Sequence, residues 1–446
     1  MGISHADLVS RNKAYTLASW TAQGDWNPLS MTRAQGIYFW DADDKRYIDW
    51  SSQLINVNVG HGHPHVIKAI QEQAAKICYA YPGIATEPRA RLGEMLKEIA
   101  PAGLSKSFFT TGGADAIENA MKIARLYTGR QKIVTRYRSY HGATFGSMTA
   151  GGDPRRLANE PGVPWIVHVH GPYSYRSPAY RGRSVDEGDQ VIVDLMEQTV
   201  LFEGPENVAA ILLEGYSGTS GILQGGDVFW RGVQEICDKY DILLIVDEVM
   251  SGFGRTGKWF GIDHYPFVRP DLMVIAKGLT SGYVPMGGVM VTDEIASYFD
   301  DHTLWAGLTY SSHALACAAA IANLEVYTGE TLIENAAAMG IKLRAGLTDL
   351  AEAHPSLGEI RGTGLHQVIE IVRNRETREP MSAWNQPPSE PMRMVAAKLR
   401  QLGINTFVRW NWVFCAPPLI ITEDQIREAL DIIDQALDES DKHYVG

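Results

Sequence analysis

Side chains able to hold and activate one small molecule are gathered in four short stretches of this chain. In "LLIVDEVMSGFGRTGKW", Leu243 to Trp259, an apolar run ends at Asp247 and Glu248 and is followed by Gly252, Gly254 and Gly257. Those glycines spell a dinucleotide fingerprint, and Gly252 to Lys258 spells most of a Walker loop. The first needs a helix opening on the glycines, and the second needs Ser or Thr after its lysine. Here "KWFGIDHYPFVRP" is too rich in Gly, Pro and aromatics to be that helix, and Trp259 follows Lys258. The carboxylate remains: Asp247 ends a buried strand, where open α/β sheets place ligands, and a buried aspartate needs a cation or hydrogen bonds.

Lys277 in "DLMVIAKGLTSG" also follows an apolar run. A desolvated lysine has a lowered pKa and can form a Schiff base with a carbonyl. In "FFTTGGADAIENAMKIARLYTG", Gly112 and Gly113 precede a helix with apolar Ile117, Met121 and Ala124, whose free N–H groups and dipole attract phosphate. In "RYRSYHGATFG", Tyr140 and His141 offer an aromatic face at a strand end. Taken singly, the four also read as a solvated strand-end acid, a loop cation, a plain helix start and core packing. Taken together, they ask for a ligand with a phosphate, an aromatic ring, a basic ring nitrogen and an aldehyde, which is pyridoxal phosphate.

The elements that must hold these residues are legible in outline. "QKIVTRY", "WIVHVH", "VAAILLEG", "ILLIVDE", "DLMVIAKG" and "GGVMVT" read as strands, with helical spacing in "QVIVDLMEQTVLFEG" and "DVFWRGVQEICDKYD" between them. Continuously apolar strands alternating with helices predict an α/β fold with a mostly parallel central sheet covered on both faces. Beyond Ala314 the pattern becomes helical, in "HALACAAAIANLEVYTG", "PMRMVAAKLRQLG" and "TEDQIREALDIIDQALDES", the last opening on Thr422 with Gln425 three residues later. "RNRETREPMSAWNQPPSEPM", 373–392, reads as a loop.

Composition sets the class. The 446 residues are 45% hydrophobic and 21% charged with a net charge of -12, which disfavours a binder of nucleic acid or of anionic membranes. No apolar run nears the ~18 residues of a span, the N-terminus lacks a signal-peptide core, and Ala6 spoils a myristoylation signal at Gly2. Four scattered cysteines argue against a disulfide framework or a cysteine zinc site and for a cytoplasmic location. The histidines of "GHGHPH", His61, His63 and His65, are read as a turn rather than a metal site.

In the joint occurrence and order of "TTGGADAIENAMKIAR", "YRSYHGAT", "LLEGYSGTSG", "DEVMSGFGRTG", "DLMVIAKGLTSGYVPMGGV", "LTYSSHALACAAA" and "APPLIITEDQI", the sequence resembles the class III, or ω-, aminotransferases of the type I pyridoxal-phosphate fold, over nearly its whole length. The resemblance implies a large domain at 60–325 and a small α+β domain from 1–59 and 326–446. It implies Lys277 as the lysine that holds the cofactor and shuttles the proton, and Asp247 as the partner of the ring nitrogen. Tyr140 and Val249 are implied on the two ring faces, with His141 and Glu214 nearby. Gly113 and Ala114 match the phosphate turn, and Gly112 stands where relatives often have Ser. Thr309 matches a threonine that reaches the phosphate from a neighbouring subunit, so at least a homodimer is implied.

In relatives handling GABA or ornithine, a glutamate stands at the place of Thr219 and a glutamine at that of Met250, so this chain is more similar to the amine:pyruvate side. Arg409 in "FVRWNWVFCAPPL" corresponds to a mobile arginine for the substrate carboxylate, or reads as an exposed loop arginine, with Trp410 beside it. "SWTAQ", "PGIATEPRARLG" and "DWSSQLINVNVGHGHP", the last containing Ile55, resemble the taurine:2-oxo-acid subgroup, placing Ile55 and Trp410 on the substrate side. The implied activity is ping-pong transfer of the amino group of taurine, β-alanine or a related ω-amine to a 2-oxo acid, with pyruvate expected. The rivals are a broad amine:pyruvate transaminase, an aminomutase, racemase or decarboxylase on the same fold, and a binding protein without catalysis.

Overall fold

The computed structural model describes residues 3–446, so Gly2 lies outside the described residues. A seven-stranded sheet runs through the middle in the order Leu104–Thr110, Gly287–Thr292, Leu272–Ile275, Leu243–Asp247, Val208–Glu214, Lys132–Arg136, Ile166–Val169. The last five strands of that order pair in parallel, and Gly287–Thr292 is antiparallel to both neighbours. Every residue of Val208–Glu214, Leu243–Asp247 and Leu272–Ile275 is buried, because parallel strands are covered on both faces. Leu212, Ile245 and Val274 pack with Ile117 and Met121 of the helix Gly113–Thr128. Leu213, Val246 and Met273 pack into the larger cluster on the opposite face, so period-two alternation makes two cores from one sheet.

The chain ends supply two further sheets. One joins Arg33–Gln35, Tyr38–Trp40 and Arg46–Asp49 to Ile404–Asn405, with Ile48 opposite Ile404, so the two ends of the chain are stitched by a parallel pair. The other runs Leu357–Thr363, His366–Asn374, Trp412–Cys415, Val408–Arg409, with Glu379–Pro380 paired to its second strand. The helix Glu423–Asp441 starts on the capping box of Thr422 and Gln425. The segment 373–392 is less irregular than its composition predicts: it ends one strand, contributes Glu379–Pro380 and begins the helix Glu390–Leu402. All four cysteines are free, and among the described residues no helix is long and apolar enough to cross a membrane.

Arg255, inside the glycine-rich stretch, joins the parts. It is wholly buried, and its guanidinium donates to the carbonyls of Leu365 and Pro417, to Ser52 Oγ and to Asn58 Oδ1. Burial pulls its pKa down to about 10, so it is still a cation at neutral pH, solvated by dipoles of three chain segments. Replacing Arg255 by Ala strands four buried acceptors, each costing about 1–3 kcal/mol unpaired. Unfolding in denaturant is therefore expected to show a loss of at least about 2 kcal/mol. Arg255→Lys is expected to recover only part, because an ammonium cannot fork to four acceptors; a loss within experimental error for Arg255→Ala would remove this role.

Candidate active site

Two parallel strands end side by side at Glu214 and Asp247, in direct register, and Asp247 lies opposite Val274 of the next strand. That strand runs out at Ile275 and leads into Lys277. Parallel pairing thus brings two acids and an amine to the carboxyl edge of the sheet. Above them opens a cavity of about 490 Å³ whose wall includes Gly112, Gly113, Ala114, Tyr140, His141, Glu214, Asp247, Val249 and Lys277.

Asp247 is held firmly. Its Oδ2 lies 2.7 Å from His141 Nδ1, and its Oδ1 accepts the N–H of Val249 at 3.0 Å. Glu248 serves the fold instead: its carboxylate accepts from Ser251 Oγ and from the N–H groups of Gly261 and Ile262, tying down the loop that the glycines had made ambiguous. Burial raises Glu248 to about 7 against those bonds. No α-helix follows the glycines; the segment makes turns and a 3-10 turn at Gly261–His264, so neither nucleotide reading has its helix. Glu214 accepts from Arg136 Nη2 at 3.2 Å and from the Gly218 N–H, and burial raises its pKa.

Lys277 sits in the left-handed region with φ 44° at the start of a 3-10 turn. Ser52, Gln53, Ile55, Ser281 and Trp410 share such backbones nearby, each costing on the order of 1–3 kcal/mol, the clustering found where a fold holds reactive groups in place. The turn is pinned from below, because Asn323 Nδ2 and Tyr327 OH of the helix Ala314–Gly329 both donate to the Gly278 carbonyl. Desolvation lowers the Lys277 amine to about 8, opposed by Asp247 and Glu214 and aided by the cations of Arg155 and Arg255.

The helix Gly113–Thr128 points its N-terminus at the same cavity, with Gly112 at the cap and no side chain closing it. Close approach explains the small residues: a Cβ on Gly113 would meet Val249 at 3.0 Å. Gly142, at φ +136°, leaves room for Ala114, whose Cβ would stand 2.5 Å from an added one.

Arg155 and Asp153 carry no motif, and Trp20, in "SWTAQ", carries only a subgroup resemblance and no assigned role. The Arg155 guanidinium lies 3.8 Å over the Tyr140 ring, with Trp20 edge-on to Tyr140 at 6.4 Å. Arg155 grips Asp153 through two bonds of 2.9 Å and donates to Thr219 Oγ1 at 2.9 Å. Arg409 reaches the same acid, Nη2 to Asp153 Oδ2 at 2.7 Å, with its guanidinium 4.1 Å over Trp410. Arg409 is therefore a mostly buried, paired residue and not an exposed loop arginine; burial lowers its pKa to about 10. Ile55 and Trp410 pack with Tyr216, Trp412 and Phe414 and are not among the lining residues, whereas Leu54 and Asn56 are. Thr309 is exposed, away from its own chain's cavity, its carbonyl accepting from Tyr79 OH. His61, His63 and His65 each face a separate carboxylate, Asp49, Glu330 and Glu325.

These residues fit pyridoxal phosphate. An uncapped helix N-terminus suits the phosphate, an amine lowered toward neutrality suits the aldehyde, and a fixed carboxylate with spare lone pairs suits a protonated ring nitrogen. The comparisons agree. The profile of the aminotransferase class-III family matches residues 21–437. A taurine–pyruvate aminotransferase of Bilophila wadsworthia is 34% identical across 98% of both chains. A diaminobutyrate–2-oxoglutarate transaminase of Halomonas elongata is 34% identical across 97% of this chain and 96% of its own. The crystal structure of taurine:2-oxoglutarate aminotransferase from Bifidobacterium kashiwanohense, in complex with pyridoxal phosphate and glutamate, superposes with a TM-score of 0.95 at 41% identity over 100% of both chains.

Only a neutral amine attacks a carbonyl, so the pH dependence of cofactor uptake reports the state of Lys277. Starting from cofactor-free protein, the rate of pyridoxal-phosphate uptake is expected to rise with pH through about 8 and level off above it. An ordinary lysine would keep gaining to roughly pH 10. Growth of the visible absorbance band across a pH series distinguishes the two.

Proposed function

The chain belongs to the class-III aminotransferases, enzymes that use pyridoxal phosphate to transaminate amines, and we propose that its donor is a small ω-amine bearing an anionic group, taurine or β-alanine, with a 2-oxo acid as acceptor. The observation that carries this reading is the pair Arg155 and Arg409 sharing the single carboxylate of Asp153 beside the cavity. Two cations and one anion leave one positive charge, and guanidinium bonds sulfonate or carboxylate through paired N–H groups.

When bound, pyridoxal phosphate supplies an aldehyde to take the amino group and a ring to accept the electron pair of the substrate carbon. The chain's own residues do the rest. Lys277 holds the cofactor and later carries the proton at Nζ to and from the substrate carbon. Asp247, steadied by His141, keeps the ring nitrogen protonated; Tyr140 and Val249 confine the ring faces. N–H groups of Gly112, Gly113 and Ala114 hold the phosphate, joined by Thr309 of the partner subunit in a homodimer. Glu214 adds negative charge beside Asp247. Ile55 and Trp410 back the substrate side through their shared apolar cluster, whose Trp410 ring lies under the Arg409 guanidinium. The division into a large domain, 60–325, and a small one, 1–59 with 326–446, belongs to the same proposal.

For the acceptor, a second reading has its own support. Pyruvate is expected from the sequence and carries one carboxylate, whereas 2-oxoglutarate carries two, and two guanidiniums converge on Asp153. The taurine:2-oxoglutarate relative points the same way.

Taurine is expected to bleach the visible band of the holoenzyme, and pyruvate or 2-oxoglutarate to restore it, the faster acceptor being the natural class. A band that ignores taurine but answers an arylalkyl amine would sink the donor assignment. Failure to pass amino groups to either keto acid would favour a mutase or racemase. Arg155→Ala and Arg409→Ala are each expected to raise KM for taurine about tenfold or more, the worth of a charge-assisted bond, while an uncharged arylalkyl donor is little affected.

A further inference from the structure

A second cavity, of about 400 Å³, lies on the other side of the segment that carries Asp153 and shares no lining residue with the first. Its wall contains four arginines, Arg136, Arg138, Arg156 and Arg176, against one carboxylate, Asp153. In a chain of net charge -12 this is a local reversal of sign. Three of the four have a carboxylate partner, Arg136 with Glu214, Arg156 with Glu160 and Arg176 with Glu370, and Arg138 has none among the described residues. Asp153 is shared by Arg155 and Arg409, and Glu370 by Arg176 and Arg361. Arg136, Arg156 and Arg176 each retain a buried guanidinium N–H with no acceptor.

Arg138 is the least satisfied. Its guanidinium lies 3.7 Å over Trp384 and 5.2 Å from the Tyr173 ring, and among the described residues it forms no side-chain hydrogen bond or ion pair. Stacking uses the faces of a guanidinium and leaves its edge N–H groups for an acceptor in the plane. The residue takes φ 58°, a left-handed backbone uncommon outside glycine. Burial lowers its pKa, and the cations of Arg176 and Arg361 add to this against Tyr173 and Glu370. An anion would reverse that penalty.

We propose that this cavity is a second anion-binding site, taking a small dianion, either an organic dicarboxylate or an inorganic oxyanion, with Arg138 as its principal contact. The site is independent of which amine the enzyme uses. Its aromatic shelf and multiple guanidiniums distinguish it from a general basic surface, and its position behind Asp153 places it next to, and outside, the substrate side of the active site.

The test is calorimetric titration of the holoenzyme with malonate and, in a second arm, with inorganic phosphate, ionic strength being held constant with chloride so that screening does not mimic binding. Binding is expected to survive in Arg155→Ala and Arg409→Ala, which removes the contribution of the active site, and to weaken at least tenfold in Arg138→Ala. Arg138→Ala is expected to keep its visible cofactor band and its transamination rate without added anion. Tighter malonate marks a dicarboxylate site, and tighter phosphate an oxyanion site. If Arg138→Ala loses the cofactor band through misfolding, Arg138→Gln is judged by the same criterion. Absence of binding by both anions, or unchanged affinity in the folded Arg138 variant, overturns the proposal.

Discussion

A carboxylate shut away from water at the end of a parallel strand governs this molecule. Asp247 cannot be solvated by bulk water, so it is held by an imidazole nitrogen and a backbone N–H on one side, while on the other it shares a cavity with the amine of Lys277. Desolvation lowers the amine of Lys277, and the negative charges of Asp247 and Glu214 resist that shift. The result at Lys277 is an amine near neutrality, the state in which it is useful. Strands of the sheet that stop one beside another put those groups in place; the fold spends its most buried strands on doing so.

The surroundings follow from that demand for fixed polar groups in a dry place. Gly278 is locked by two side chains of an alanine-rich helix, and Gly113 and Gly142 are small because Val249 and Ala114 leave no room for a Cβ. Arg255 carries the same logic into the seam between chain segments. A buried cation with four neutral acceptors from both ends of the chain couples the floor of the site to the terminal sheets, and its field reaches Lys277. Beside the cavity, Asp153 serves two arginines at once, so any anion that reached them would have to compete with an acid already in place.

Particular residues show how far the primary structure could be read. Asp247 and Lys277 were legible because each ends an apolar run, and the helix at Gly113 because two glycines precede a 3.6-residue pattern. Glu248, next to Asp247 and also a carboxylate, turns its side chain the other way, into the loop that follows, and alternation along a strand end decides that. Arg155 and Asp153 were not legible: "GGDPRR" is an ordinary turn sequence, and its meaning comes from Tyr140, Thr219 and Arg409, of which Thr219 and Arg409 are distant along the chain. The hairpin Leu357–Thr363 and His366–Asn374 escaped notice because its buried strand mixes His, Gln and Glu with apolar residues.

What the amino-acid sequence alone determined is the chemistry and the architecture that presents it: local periodicity sets strands and helices, strand ends in an α/β sheet set where ligands go, and a run of motifs in fixed order sets the family. What only the tertiary structure decided is the environment of each charge. Whether Arg409 is exposed or paired, whether the Lys277 amine keeps an ordinary lysine's pKa or is lowered to about 8, and whether Arg138 has a partner depend on burial and on neighbours brought from across the chain. Electrostatic free energy falls with distance and dielectric in space, and separation along the sequence predicts neither.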